Sequence, residues 1–82
     1  MRVKNDKLQE LEKLGFDKRT YDYKYKVEWN KYILVDVDNR EVKLYYDDGY
    51  QEDIIIKNNI PQWAFIILVK MVQLDILEWE NF

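Results

Sequence analysis

Between Thr20 and Trp29 the chain alternates residue by residue. Tyr21, Tyr23, Tyr25, Val27 and Trp29 share one parity; Asp22, Lys24, Lys26 and Glu28 share the other. Side chains of an extended strand point to opposite faces with a period of two, so this segment is at rest only with one face buried and the other in water. The chain is thereby constrained to a half-buried antiparallel sheet. Its aromatic ladder, Tyr21, Tyr23, Tyr25 and Trp29, is expected on the core side with the Tyr hydroxyls at the rim.

Hairpin arithmetic carries that face through three more strands. A loop of Asn30, Lys31 and Tyr32 sets Trp29 opposite Ile33, Val27 opposite Val35 and Tyr25 opposite Val37. A two-residue loop at Asn30 and Lys31 would mix Asp36 into the apolar face, and a one-residue slip inverts every side chain. A two-residue turn at Asn39 and Arg40 then pairs Val37 with Val42 and Val35 with Leu44; Asn tolerates the positive φ of tight turns. A loop centred on Asp48, Gly49 and Tyr50 pairs Leu44 with Ile54 and Val42 with Ile56. All three turns agree on one buried face: Ile33, Val35, Val37, Val42, Leu44, Ile54 and Ile56.

Helical patterns flank the strands. Asp6 and Gln9 have the spacing of a capping box, Leu8, Leu11 and Leu14 form an apolar stripe, and Lys13 suits the last turn. Gly15 supplies a left-handed cap and Phe16 packs back on Leu11, which predicts a helix over 6–14. The second helix is expected to be capped by Asn59, with Ile60 and Pro61 in its first turn and Gln62 completing the box, and to run to about Trp79. At 100° per residue, Gln62, Lys70, Gln73 and Glu80 fall on a narrow polar stripe beside Ile66 and Leu77. Ala64, Phe65, Leu68, Val72, Ile76 and Trp79 form a wide face suited to the sheet, and Trp63, Ile67 and Leu74 form a second apolar ridge. The fold class is α+β: an α-β-β-β-β-α chain, with a four-stranded antiparallel meander and both helices packed on one face.

Composition then bounds the chemistry. Eighty-two residues make one domain, 1–82. The sequence holds no Cys, no His and no Ser, and its only Thr is Thr20. Disulfides, thiolate zinc sites, His ligation and Ser, Cys or His catalysis are thus all excluded, leaving carboxylates, Lys and Tyr. Its two Gly cannot assemble a phosphate-cradling loop. The expectation is a protein with no enzymatic activity, no metal and no cofactor. Val3 to Lys18 is charged throughout, unlike a signal peptide, and the apolar run from Trp63 to Val69 is far short of the roughly 20 residues that span a bilayer. A soluble, cytoplasmic protein is expected.

Two surfaces are candidates for recognition. Asp36, Asp38, Asp47, Asp48, Glu52 and Asp53 lie on or near the hairpin loops and could form an acidic lip for a basic partner. Asp36 and Asp38 resemble the start of a calcium loop, but Arg40 occupies the next ligand position and the required Gly and Glu are missing. The plainer reading is that Asp residues occupy turns because they suit turns. The outward sheet face carries Lys24, Lys26, Leu34, Lys43, Tyr45 and Ile55, with Tyr32 at its edge. Aromatic groups framed by Lys suit a protein partner, or bases and phosphates of a single strand. A solvated sheet face with scattered apolar residues is the bland alternative. Acidic loops repel phosphate, so a protein partner is favoured over nucleic acid. The Trp63, Ile67 and Leu74 ridge is expected to mediate self-association, most simply as a two-fold homodimer.

The opening Leu11-Glu12-Lys13-Leu14-Gly15-Phe16, the Tyr-rich short strands and the closing apolar helix together resemble the small orphan proteins of bacteriophages and mobile elements, anti-CRISPR and other anti-defence proteins among them. The resemblance lies in size, composition and element order and carries no functional residue. It implies a non-catalytic inhibitor acting by stoichiometric binding to a protein. The alternatives are a homo-oligomeric structural or accessory protein and a weak single-strand nucleic-acid binder.

Overall fold

The computed structural model describes residues 1–50, 54–57 and 59–79. The elements in chain order are β1 (Arg2–Val3), α1 (Glu10–Lys13), β2 (Asp17–Lys18), β3 (Asp22–Glu28), β4 (Lys31–Asp36), β5 (Val42–Tyr46), β6 (Ile54–Ile56), α2 (Gln62–Gln73) and β7 (Leu77–Glu78). The main sheet is antiparallel, five-stranded, in the order β2-β3-β4-β5-β6, and β1 pairs with β7 in a separate two-stranded ribbon. The fold is thus α+β with an antiparallel sheet and two helices. It exceeds the expected meander by β2 at one edge and by the terminal ribbon. Strands of two residues are too short for alternation to reveal them.

Parity follows expectation and register does not. Tyr23 faces Val35 and Tyr25 faces Ile33; Ile33 in turn faces Leu44, Val35 faces Val42, and Leu44 faces Ile56. Each hairpin differs from the expected pairing by an even step, which leaves the same side chains on the same face. At the first turn Glu28 pairs with Lys31 around Trp29 and Asn30, and the ladder is irregular between Lys26 and Glu28. The extra residue, Val27, is absorbed as a bulge rather than in the loop. Trp29 is therefore placed in the turn and is 77 % exposed, not on the core face, and Tyr21, which precedes β3, is likewise exposed. At the second turn Asp36 and Glu41 close a four-residue loop in which Arg40 adopts φ +61°. The Asp36 carboxylate accepts from the Asp38 N–H at 2.8 Å, and the Asn39 side chain accepts from the Glu41 N–H at 2.9 Å. These local bonds stabilise the wider loop over the expected two-residue turn.

Ile33, Val35, Val42 and Leu44 are buried on the inner face, while Val37, Ile54 and Ile56 are half-buried at its margins. The core adds Val3, Leu11, Phe16, Ala64, Leu68, Met71, Ile76 and Leu77, so side chains of both helices and of the ribbon meet the same sheet face.

Both helices are shorter than the sequence predicts and end alike. The chain enters α1 through i→i−3 bonds from Lys7, Glu10 and Leu11 to Lys4, Lys7 and Leu8, in place of a full α-helical turn. Asp6 makes no side-chain cap, and Gln9 donates instead to the Asp6 carbonyl. Its end is a Schellman motif: Phe16 N–H bonds to the Leu11 carbonyl, Gly15 N–H to that of Glu12, and Gly15 has φ +103°. α2 repeats this at Asp75 (φ +61°), with Ile76 N–H on the Met71 carbonyl and Asp75 N–H on that of Val72. The helix therefore stops at Gln73, not Trp79, and the chain turns back into β7. Its N-cap is Pro61, with extended ψ of 153° and no side-chain cap, rather than Asn59.

Candidate partner-binding face

The outward sheet face is organised in rows by the observed register. Lys26, Tyr32, Tyr45 and Ile55 are successive cross-strand partners on β3 to β6, and Lys24, Leu34 and Lys43 form the next row. Asp22 opposite Asp36, with Glu41 beside Asp36, makes an acidic end beyond them. With strands about 4.8 Å apart, the first row is roughly 15 Å wide. All seven outward residues singled out in the sequence thus come together on one surface.

Their contacts define its chemistry. The Tyr32 and Tyr45 rings stack with centroids 5.3 Å apart and an interplanar angle of 10°. Lys24 Nζ lies 4.4 Å from the Tyr32 centroid on a diagonal across the ladder, a cation–π geometry. Tyr45 has Ile55 as its cross-strand partner on the other side. The two rings therefore give one face to each other, and Lys24 lies over Tyr32. Arg19, Lys24, Tyr32, Leu34 and Tyr45 line one shallow depression there. Arg19 clasps Asp22 through two hydrogen bonds of 2.6 and 2.9 Å. That bond, and the charges of Arg19 and Lys24, hold the Asp22 carboxyl below its ordinary range. Lys26 and Lys43 form no ion pair among the described residues.

The described acidic residues do not form one lip. Asp36 and Asp38 lie at the start of β5 and Asp47 and Asp48 beyond its end, separated by a five-residue strand of roughly 17 Å. Asp47 accepts from the Gly49 N–H at 2.8 Å and Asp48 from the Tyr50 N–H at 2.9 Å, so these side chains, like Asp36, build turns. Glu52 and Asp53 lie outside the described residues. No group of three or more potential metal ligands occurs among the described residues, and no described helix is long and apolar enough to cross a membrane.

The expected ridge on α2 is not a surface. Ile67 is buried in the core at 8 % exposure, and Trp63 packs half-buried against it. Leu74 instead lines a depression beside α1 with Lys7, Glu10, Lys13, Leu14 and Ile76. Phe65, Val72 and Trp79, expected under the sheet, are exposed. Phe65 and Trp79 meet edge-to-face at 6.2 Å and line an apolar groove with Val69, Val72 and Gln73. The inward side is instead Ala64, Ile67, Leu68 and Met71. The sequence carried a signal for this second surface: α2 is apolar nearly all round, and a helix of that kind needs cover on more than one side.

No protein-family model, no curated protein and no solved structure matches the chain.

Proposed function

We propose that the chain is a non-catalytic binding module whose outward sheet face docks an acidic stretch of a partner protein. The observation that carries this reading is the Lys24, Tyr32, Tyr45 stack with Lys26 and Lys43 beside it. On a chain of net charge −3 this cluster is a local reversal of sign. A carboxylate arriving there meets several ammonium groups set in rows about an aromatic stack, an arrangement that orients a partner as well as holding it. Base stacking is disfavoured, because the two rings stack on each other and Lys24 lies over Tyr32. Stoichiometric occupation of such a stretch is how a protein of this size inhibits, and inhibition of the phage anti-defence type is the biological role we attach to this reading.

A Glu-rich peptide titrated into isotope-labelled protein tests it. Saturable amide shifts should cluster at Lys24, Tyr32, Lys43 and Tyr45, weaken as added salt shortens the screening length to about 3 Å, and fall at least about tenfold in affinity for Lys24→Ala combined with Tyr45→Ala. Oligothymidine of equal charge should bind more weakly. Peptide shifts elsewhere, or tighter binding of the oligonucleotide at the same face, would refute the reading.

A further inference from the structure

We infer that the solvent side of α2 is an interface for a second copy of this chain, packed as an antiparallel helix pair about a two-fold axis. The inward residues Ala64, Ile67, Leu68 and Met71 fix the helix's rotation. About 180° away, at 100° per residue, lie Gln62, Ile66, Val69 and Gln73. This side should be the polar one, yet Lys70 is the only charged residue among the twelve of the helix. Ile66 is 76 % exposed and Phe65 50 %, and Val72 and Trp79 extend the same apolar surface.

The spacing of the stripe names its occupant. From Gln62 to Ile66, to Val69, to Gln73 the steps are four, three and four, the repeat of a coiled-coil seam. Read from either end the pattern is the same: Gln, β-branched apolar, β-branched apolar, Gln. An isologous contact requires a surface that complements itself after a two-fold rotation, and this stripe does so when the helices run antiparallel. Gln62 then meets Gln73 of the second copy, where the two side-chain amides can bond, and Ile66 meets Val69 at the centre. Phe65 and Val72, seven residues apart, flank the seam on the side of Trp79 and cover it.

The area suits a weak, reversible dimer. Phe65, Ile66, Val69, Val72 and Trp79 together leave on the order of 450 Å² of apolar surface open. Pairing two such patches buries roughly 900 Å² before any rim is counted, which approaches the lower bound for a specific interface and suits a micromolar dimer. A partner strongly charged in one sense would find little to pair with on this stripe. The outward sheet face is on the far side of the sheet from α2, so this association leaves the peptide-binding reading independent of it.

The test uses the full chain. Sedimentation equilibrium should show a dimer dissociating in the micromolar range, and Ile66→Glu should weaken it at least about 100-fold with far-ultraviolet circular dichroism unchanged, since Ile66 touches no core. The sequence lacks cysteine, so Gln62→Cys and Gln73→Cys can each be made singly and mixed. Oxidation should join position 62 of one copy to position 73 of the other. Position 62 should not join to itself, because 11 residues of helix put those sites about 16 Å apart. A wild-type monomer at about 100 µM, a dimer indifferent to Ile66→Glu, or equal self-linking at position 62 would each overturn the inference.

Discussion

Asp75 holds a position that Gly normally takes. At φ +61° it terminates α2 in the left-handed region, and its exposed carboxylate forms a close ion pair with Lys4, joining the turn to the residue after β1. The hydrogen bond from Lys4, then its charge, lowers the Asp75 pKa, and the same bond raises that of Lys4. A depressed carboxyl pKa contributes stability above the ordinary 3.8 and loses it as pH falls through the folded value. A raised ammonium pKa contributes below the ordinary 10.5 and loses it as pH rises through the folded value. The pair therefore acts at full strength between those limits. Asn also tolerates left-handed backbone, so Asp75→Asn removes the charge without adding strain. Its melting temperature should be below wild type at neutral pH, and the gap should close as pH falls through the folded value and the wild-type carboxyl protonates. A gap constant across pH would mean that the ion pair contributes nothing. Gly15 was legible as a cap because Gly announces left-handed backbone. Asp75 was not, since a carboxylate inside an apolar run reads as a polar position on a continuing helix.

Among the strands, burial selects parity and loop chemistry selects register. Every even slip of β3 on β4 keeps Tyr23, Tyr25, Ile33 and Val35 on the core side, so the apolar pattern cannot distinguish the alternatives. For β3 on β4 the turn at Trp29 and Asn30 and the bulge at Val27 decide, and for β4 on β5 Asp36, Asn39 and Arg40, whose local bonds fix the second loop. Arg40 bears two burdens there: positive φ, and hydrogen bonds of 3.0 Å from its Nε to the Val3 carbonyl and from Nη1 to the Asn5 side chain. Arg40→Ala forfeits the bonds and keeps the strain, and should cost about 2–3 kcal/mol in chemical denaturation. Arg40→Gly forfeits the bonds but relieves the backbone, and should cost about 1 kcal/mol less. Equal losses would mean that the left-handed conformation carries no strain. The same limit explains the second helix. Where nearly every position is apolar, periodicity cannot say which side meets the sheet, which is why the pattern of Phe65, Val72 and Trp79 reads as inward. The outward face was readable because β3, β4 and β5 alternate cleanly, whatever their register.

At the scale of the whole molecule, the two ends of the described chain close the fold together. β1 pairs with β7, and Val3 N–H also bonds to the Arg40 carbonyl while Val42 N–H bonds to that of Met1. The ribbon thus clamps the start of β5 to the chain beyond α2, and Val3 is fully buried among Leu11, Ile76 and Leu77 of the one core. α2 has no backbone ladder to the main sheet; side-chain packing and this ribbon hold it there. Deleting Met1 to Lys4 removes a buried Val worth about 2 kcal/mol, the β1–β7 bonds, the acceptor for Arg40 and the partner of Asp75. Summed against a small domain's stability of about 5–10 kcal/mol, that loss should leave the sheet without a fixed α2. Near-ultraviolet circular dichroism should collapse, and tryptophan fluorescence should no longer report a cooperative transition. The contrasting variant is Val3→Ala, which makes a cavity but leaves the ladder intact, and should lower the denaturation midpoint while preserving one sharp transition. If the deletion instead melted as sharply as wild type, the sheet and helices would hold together without the ribbon, and its pairing would be incidental to the fold.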